Sequence, residues 1–131
     1  MWWLGRVDAA EGDRESARTK FADALPAFRS FEMNAEAIEC VEDCAELLSA
    51  GERAEEALRL LAAARAARAA LGIRSSRGEA SLPRILAAAR SMVSDGEFEA
   101  AMADGCTWTL AEAIAATLAS LAEPLETPAR V

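Results

Sequence analysis

The sequence predicts an all-α protein, a stack of helical hairpins closed by a C-terminal helical cap. The first observation is an internal repeat, because residues 4–31 match residues 44–71 at a period of 40. The aligned pairs are Val7 with Leu47, Ala17 with Ala57, Phe21 with Leu61, Ala24 with Ala64 and Phe31 with Leu71. A period in this range is typical of stacked helical hairpins, which bury their apolar faces against one another.

Composition is the second observation. The chain has 131 residues, of which 53% are hydrophobic and 27% charged, which is one domain's worth of helix-prone, globular sequence. No apolar run reaches the ~20 residues that cross a bilayer, and the first residues lack the pattern of a secretory signal. Three cysteines do not suggest a disulfide framework. We therefore expect a cytoplasmic protein that does not associate with membranes.

Charge is unevenly distributed along the chain. The net charge is −8, which disfavours non-specific binding to nucleic acid, but residues 57–93 hold seven arginines and one acidic residue. We call this segment the basic band. Its arginines are expected to be solvated or paired with acidic neighbours, since no interleaved aromatics indicate a nucleic-acid surface. Arg65 and Arg68 of the basic band are candidate interaction residues.

The first hairpin is predicted from an uncapped helix over residues 2–11, ended by Gly12, and a second helix capped by Asp13. A helix that opens at once with Trp2 and Trp3 resembles the interior of a longer repeat array. Pro26 should kink the second helix without ending it. One apolar face is expected there, formed by Ala17, Phe21, Ala24, Leu25, Phe28 and Phe31.

The second hairpin is predicted from a third helix that begins at Asn34 and ends at Gly51, and a fourth over residues 53–71. Gly72 stands at the expected end of the fourth helix. In the third helix the predicted inward residues are Ile38, Val41, Ala45 and Leu48. Its carboxylates are predicted to form a solvated face, comprising Glu36, Glu39, Glu42, Asp43 and Glu46.

Three further helices form the predicted cap. Ser81 can cap a fifth helix with Pro83 in its first turn, and its apolar face is Leu82, Ile85, Leu86, Ala89, Met92 and Val93. Capping boxes open the last two helices, Ser94 with Glu97 and Thr109 with Glu112. Phe98 is expected to fill the gap between the last helix and the fifth. The predicted organisation is two hairpins over 1–72, a loop over 73–81, the cap over 82–122 and a flexible tail over 123–131.

The sequence predicts no catalytic, cofactor-binding or metal-binding residues. It contains no histidine and no phosphate-cradling glycine loop. Cys40 and Cys44 lie one helical turn apart, but zinc needs about four ligands, and Cys106 alone does not complete the set. The cysteines are therefore interpreted as small apolar packing residues.

Several segments carry a resemblance to a known family. They are Trp3-Leu4-Gly5-Arg6-Val7, Gly12-Asp13, Ala17, Phe21, Gly51, Ala57 to Ala64 with Leu61, Ala70-Leu71-Gly72, Arg90 to Val93, Gly96 to Gly105 with Phe98, and Thr109 to Ile114 with Glu112. Together they resemble the C-terminal tetratricopeptide-like region of bacterial MalT/LuxR-type transcriptional regulators and predicted signal-transduction ATPases. The resemblance covers residues 2–122. It departs from the standard repeat at Asp8, where an aromatic is usual, and in its period of 40 residues against about 34.

The resemblance implies a non-catalytic module that binds a protein or an inducer, while DNA binding and nucleotide hydrolysis belong to other parts of a larger regulator. Its expected partners are another protein or the rest of that regulator, with no direct binding of nucleic acid. The alternative is a free-standing adaptor or a homo-oligomer. Trp2 and Trp3 would then form the self-association surface at the N-terminal edge, because two adjacent tryptophans on a helix cannot both face its core.

Overall fold

The protein is all-α over the residues that the computed structural model describes, which are 13–49, 53–73 and 81–122; no strand occurs within these ranges. The predicted first helix, with Trp2, Trp3, Leu4, Gly5 and Gly12, lies outside them, as do Gly51, most of the predicted 73–81 loop and the tail. The six described helices are α1 Arg14–Ser30, α2 Asn34–Ser49, α3 Ala54–Leu71, α4 Ser81–Arg90, α5 Asp95–Gly105 and α6 Leu110–Ala122.

Helix α1 begins at the predicted cap, where the Asp13 carboxylate accepts a hydrogen bond from the Ser16 backbone N–H at 3.1 Å. It continues through Pro26 as expected. The predicted apolar face is correct for its first half but wrong at its end, because Phe31 is 76% exposed. The helix stops at Ser30, and Glu32 turns the chain with φ of 55°, so Phe31 lies beyond the packed surface.

Helix α2 lies at the centre of the fold and is buried on nearly every side. Its predicted inward residues, Ile38, Val41, Ala45 and Leu48, are fully buried. The predicted solvated face is wrong for Glu39, Glu42 and Asp43, which are buried as well, and correct for Glu46, which is exposed. Helix α1 packs on one side of α2, while α3, α4 and α6 also contact it. A helix surrounded in this way has little surface left to expose its carboxylates.

Helix α3 is the hub of the molecule, in contact with α2, α4, α5 and α6. Its many alanines allow close approach: Ala57, Ala63 and Ala64 are all buried. The helix ends as predicted at Gly72, which adopts the left-handed conformation with φ of 67°, and the Gly72 N–H bonds to the Arg68 carbonyl. Glycine suits this position because it has no Cβ to oppose a positive φ.

The last three helices begin with the predicted signals. The Ser94–Glu97 capping box is present at α5. At α6, the Thr109 hydroxyl accepts from the Glu112 N–H at 3.1 Å, and the Glu112 carboxylate accepts from the Thr109 N–H at 2.8 Å. The apolar face predicted for α4 is wrong at its end, because α4 stops at Arg90 and leaves Met92 58% exposed.

Helix α5 docks on α3 through small residues. Gly105, the last residue of α5, is buried so closely against α3 that a Cβ built on it would lie 2.1 Å from the Arg59 carbonyl oxygen and 2.9 Å from the Ala62 Cβ. Ala101, one turn earlier, is also buried. Phe98 is half-buried, and the Arg90 guanidinium lies 4.1 Å from its ring centroid.

Helix α6 returns to the beginning of the described chain. It packs against α1 and α2 as well as α3. Arg18 on α1 donates to the Leu121 carbonyl in the last turn of α6 at 2.6 Å, and Arg14 donates to the Leu47 carbonyl near the end of α2 at 2.7 Å. Neither α2 nor α6 has a basic residue in its own last turn, so α1 supplies the cations that stabilise both helix ends.

None of the helices in the described ranges is both long enough and apolar enough to cross a bilayer.

Candidate binding cleft

The arginines of the basic band occupy different surroundings. Arg59 lies 3.5 Å from Glu55 and 3.6 Å from Asp104, and Arg90 lies 3.6 Å from Asp95. Arg68 is paired with Glu42 across the α2–α3 interface. Arg65 and Arg84 are exposed. The prediction of solvated or paired arginines is therefore confirmed for these residues. Arg65 and Arg68 also lie beside α4, where they line a cleft.

The Arg68–Glu42 pair is bidentate and almost completely enclosed. Arg68 Nε donates to Glu42 Oε2 at 2.9 Å, and Arg68 Nη2 donates to Glu42 Oε1 at 2.8 Å. The two side chains are 10% and 2% exposed. These hydrogen bonds, helped by the charges of Glu42 and Glu39, outweigh burial and raise the pKa of Arg68 above its usual value. Two parallel N–H···O bonds fix the guanidinium in orientation as well as in charge.

A cleft of about 400 Å³ opens beside this pair. Helices α3, α4 and α5 supply its apolar walls, and the Glu42–Arg68 pair with Arg65 supplies its polar part. The apolar lining consists of Leu61, Leu82, Pro83, Leu86 and Met102. A concave, largely apolar site with a few convergent polar groups is the usual form of a small-ligand pocket, and the volume falls within the ~300–1,000 Å³ common for such sites.

Arg65 lies on the rim of the cleft, about one turn before Arg68 on α3, and it is exposed. Glu42 is the only carboxylate that lines the cleft within residues 13–49, 53–73 and 81–122, and both of its oxygens accept from Arg68. Within the described part of the chain, Arg65 has no ion-pair partner. The cleft therefore offers a ligand apolar contact along its walls and one available guanidinium at its edge.

A second polar cluster joins α3 to α6. Arg53 donates to both oxygens of Glu56 at 3.0 and 2.8 Å, and the Ser120 hydroxyl donates to the same carboxylate. Partial burial would raise the pKa of Glu56, but the hydrogen bonds from Arg53 and Ser120 and the charges of Arg53 and Arg59 outweigh it and lower that pKa. Since the Glu56 carboxylate accepts from both Arg53 and Ser120, we interpret this cluster as a structural clamp.

The cysteines are separated from the cleft. Cys40 and Cys44 are fully buried in the core, whereas Cys106 is exposed at the end of α5. Burial, followed by the neighbouring Cys40, raises the pKa of the Cys44 thiol well above its usual value, which disfavours the reactive thiolate. In the described ranges, no group of three or more potential metal ligands comes together.

The residues predicted to carry the repeat lie in equivalent environments. Ala17 and Ala57 are both fully buried, and Phe21 and Leu61 are buried at the next repeat position. Leu61 also contributes to the cleft wall. The last pair, Phe31 and Leu71, is exposed in both copies. The match does not extend to every aligned position, because Leu25 is buried whereas its counterpart Arg65 is exposed.

Sequence reasoning missed the cleft and the role of Gly105. It placed Arg65 and Arg68 among the candidate interaction residues, but not Glu42, Leu82 or Leu86. The sequence did indicate that a buried ion pair could form, because a helix with an acidic face precedes an arginine-rich helix. Which carboxylate contacts which arginine depends on how the two helices pack. Gly105 entered the sequence analysis only as part of a segment that carries the resemblance, whereas it lies at the contact between α5 and α3.

Comparison of the chain with protein-family models, curated proteins and solved structures found no match in any of the three.

Proposed function

We propose that the chain is a non-catalytic, helical-repeat binding module that senses a ligand or partner through the cleft between α3, α4 and α5. The observation that carries the proposal is the cleft itself, in which apolar walls lie beside one available arginine. Its lining contains one carboxylate, held in a bidentate pair, so the groups present are suited to binding and orienting a molecule.

We further propose that the fold is a tetratricopeptide-like stack, derived from or belonging to a bacterial MalT/LuxR-type regulator that acts in the cytoplasm. The period of 40 residues and the matching burial of Ala17 with Ala57 and of Phe21 with Leu61 support a repeat. An open stack has contacts between neighbouring repeats only. Here α6 also contacts α1, so the proposed stack is closed on itself.

The binding function is tested by filling the cleft. Leu86→Trp places a large ring at a half-buried position in the wall, and Ala87→Trp is the matched control because Ala87 is exposed on the same helix. A small-molecule library is screened by thermal shift against the wild type and both variants. Compounds that raise the melting temperature of the wild type and Ala87→Trp, but not of Leu86→Trp, are the expected result. Stabilisation that is equal in all three proteins would place binding elsewhere.

Self-association is the second candidate function, favoured by an apolar end of the molecule. Phe31 and Met33 flank the α1–α2 turn, and Leu71 ends α3; all three are exposed. The short connection between α2 and α3 makes them antiparallel, so the end of α3 lies near the start of α2. Sedimentation of the wild type and Phe31→Ser at tens of micromolar tests this. A wild-type dimer that Phe31→Ser dissociates is expected, and a monomeric wild type would exclude it.

A further inference from the structure

We propose that the ligand of the cleft is an aliphatic monocarboxylate, with its hydrocarbon chain against Leu61, Leu86 and Met102 and its carboxylate on Arg65. This inference rests on the proposed binding function and adds the chemical class of the ligand.

The lining of the cleft indicates the apolar part of the proposed ligand. Leucine, proline and methionine side chains line it on three helices, and the part of the chain that the structure describes adds no aromatic ring to them. Ring-shaped ligands are commonly held by stacking on aromatic side chains, whereas flexible aliphatic side chains and methionine adapt to a flexible hydrocarbon. Burial of each CH₂ group adds to the affinity, so a chain of several carbons binds substantially more tightly to walls of this kind.

The charges around the cleft indicate the polar group of the proposed ligand. Arg68 and Glu42 neutralise one another through two short hydrogen bonds and are nearly inaccessible. Among the described residues that line the cleft, Arg65 is therefore the cation left for a ligand, and the three charged ones carry a net charge of +1. A single carboxylate matches this charge, and its two oxygens match the planar fork of one guanidinium.

Other ligand charges fit less well. A phosphate monoester carries nearly two negative charges at neutral pH, and one guanidinium would compensate them only in part. A cationic amphiphile would place like charges together at Arg65. A neutral amphiphile could use the walls, but it would gain nothing from the charge of the arginine.

The experiment compares three probes that share a ten-carbon chain: decanoate, decan-1-ol and decylamine, each below its micellar concentration. Binding to the full chain is measured by calorimetry, with backbone amide shifts to locate it. The variants are Arg65→Gln and, as the matched control, Arg84→Gln, because Arg84 is exposed on the neighbouring helix α4 without lining the cleft. Neither substitution touches a buried residue, so both variants should fold.

The expected result is one decanoate site at the cleft. Its affinity should be about tenfold higher than that for decanol, because the carboxylate forms a charge-assisted hydrogen-bonded pair with Arg65. Arg65→Gln should lower decanoate affinity to the decanol value, and Arg84→Gln should leave it unchanged. Decylamine should bind more weakly than decanol.

Equal binding of decanoate and decanol, with no effect of Arg65→Gln, would overturn the carboxylate assignment while the proposed binding function stands. Binding of none of the three probes would overturn the aliphatic assignment, and the cleft-filling screen would then decide the binding function separately. Decanoate shifts confined to residues around Phe31 would also overturn the inference, because the ligand would be bound at the apolar end.

Discussion

The two halves of α3 use their arginines differently. In the N-terminal half, Arg53 and Arg59 face carboxylates next to the points where α6 and α5 dock. In the C-terminal half, Arg68 is enclosed with Glu42, and Arg65 remains on the rim of the cleft. The first half holds helices together, and the second half forms the wall of a site.

The difference shows that a cluster of arginines along a sequence is not a single surface. The same residue type is a helix-to-helix link at Arg59, a buried pair at Arg68 and an available cation at Arg65. The carboxylates that the fold places opposite each arginine decide which role it takes. Substitutions in the two halves should therefore have different consequences, which three experiments can measure.

The largest effect is expected from breaking the enclosed pair. Arg68→Met leaves the Glu42 carboxylate buried without its bidentate partner, and removing one member of a buried pair costs about 3–5 kcal/mol. Urea unfolding followed by circular dichroism measures this loss. Arg65→Met is the control, because a solvent-exposed substitution on the same helix should change the free energy of unfolding by less than about 0.5 kcal/mol. Similar losses for the two variants would show that the pair contributes little.

A smaller loss of stability is expected from a substitution where α5 docks on the N-terminal half of α3. Gly105→Ala directs a methyl group at the Arg59 carbonyl, so α5 must shift away from α3, at a cost of about 2–3 kcal/mol. Gly96→Ala in the same helix is the control, because a Cβ there has no heavy atom within 4 Å. Its effect should be a gain of roughly 0.5 kcal/mol from higher helix propensity. Thermal unfolding of both variants checks the contrast, and equal effects would contradict the close approach.

The smallest effect is expected from the Glu56 clamp. Ser120→Ala removes one hydrogen bond to a partly exposed carboxylate, which should cost about 1 kcal/mol at pH 7. Because the folded-state pKa of Glu56 is lowered, its contribution is present above the unfolded pKa, which is about 4.3, and is lost as the pH falls through the folded value. The difference between the wild type and Ser120→Ala in unfolding free energy should therefore shrink as the pH falls below the unfolded pKa. A difference that stays constant with pH would show that the Ser120 hydroxyl does not stabilise the fold through Glu56.

The sequence was sufficient to predict those parts of the fold that depend on neighbouring residues. The caps at Asp13 and Thr109, the left-handed end at Gly72 and the continuation through Pro26 all follow from local hydrogen bonding or backbone geometry. The all-α class follows in the same way from helix-forming composition and spacing. Each of these features involves residues no more than about one helical turn apart.

Features that depend on packing between distant segments were predicted less well. Glu42 has a carboxylate and a helical position typical of a solvated face, yet it is buried because α3 brings Arg68 to it from 26 residues away. Phe31 has the spacing of a core residue but follows the last turn of its helix. Of the cleft, the sequence indicated the two arginines but not the walls, since three helices contribute these and their relative positions are not a local property.

The hydrogen bond between Arg18 and the Leu121 carbonyl also bears on the order of folding. It joins residues 103 positions apart, so it closes one of the longest loops the chain can form. During synthesis, α1 emerges long before α6. Arg18 therefore cannot bind the Leu121 carbonyl until α6 is made. Local hairpins such as α2–α3 can form early, but the junction of α1 with α6 must wait for most of the chain. Folding of this domain should consequently be completed at a late stage, when its first and last described helices meet.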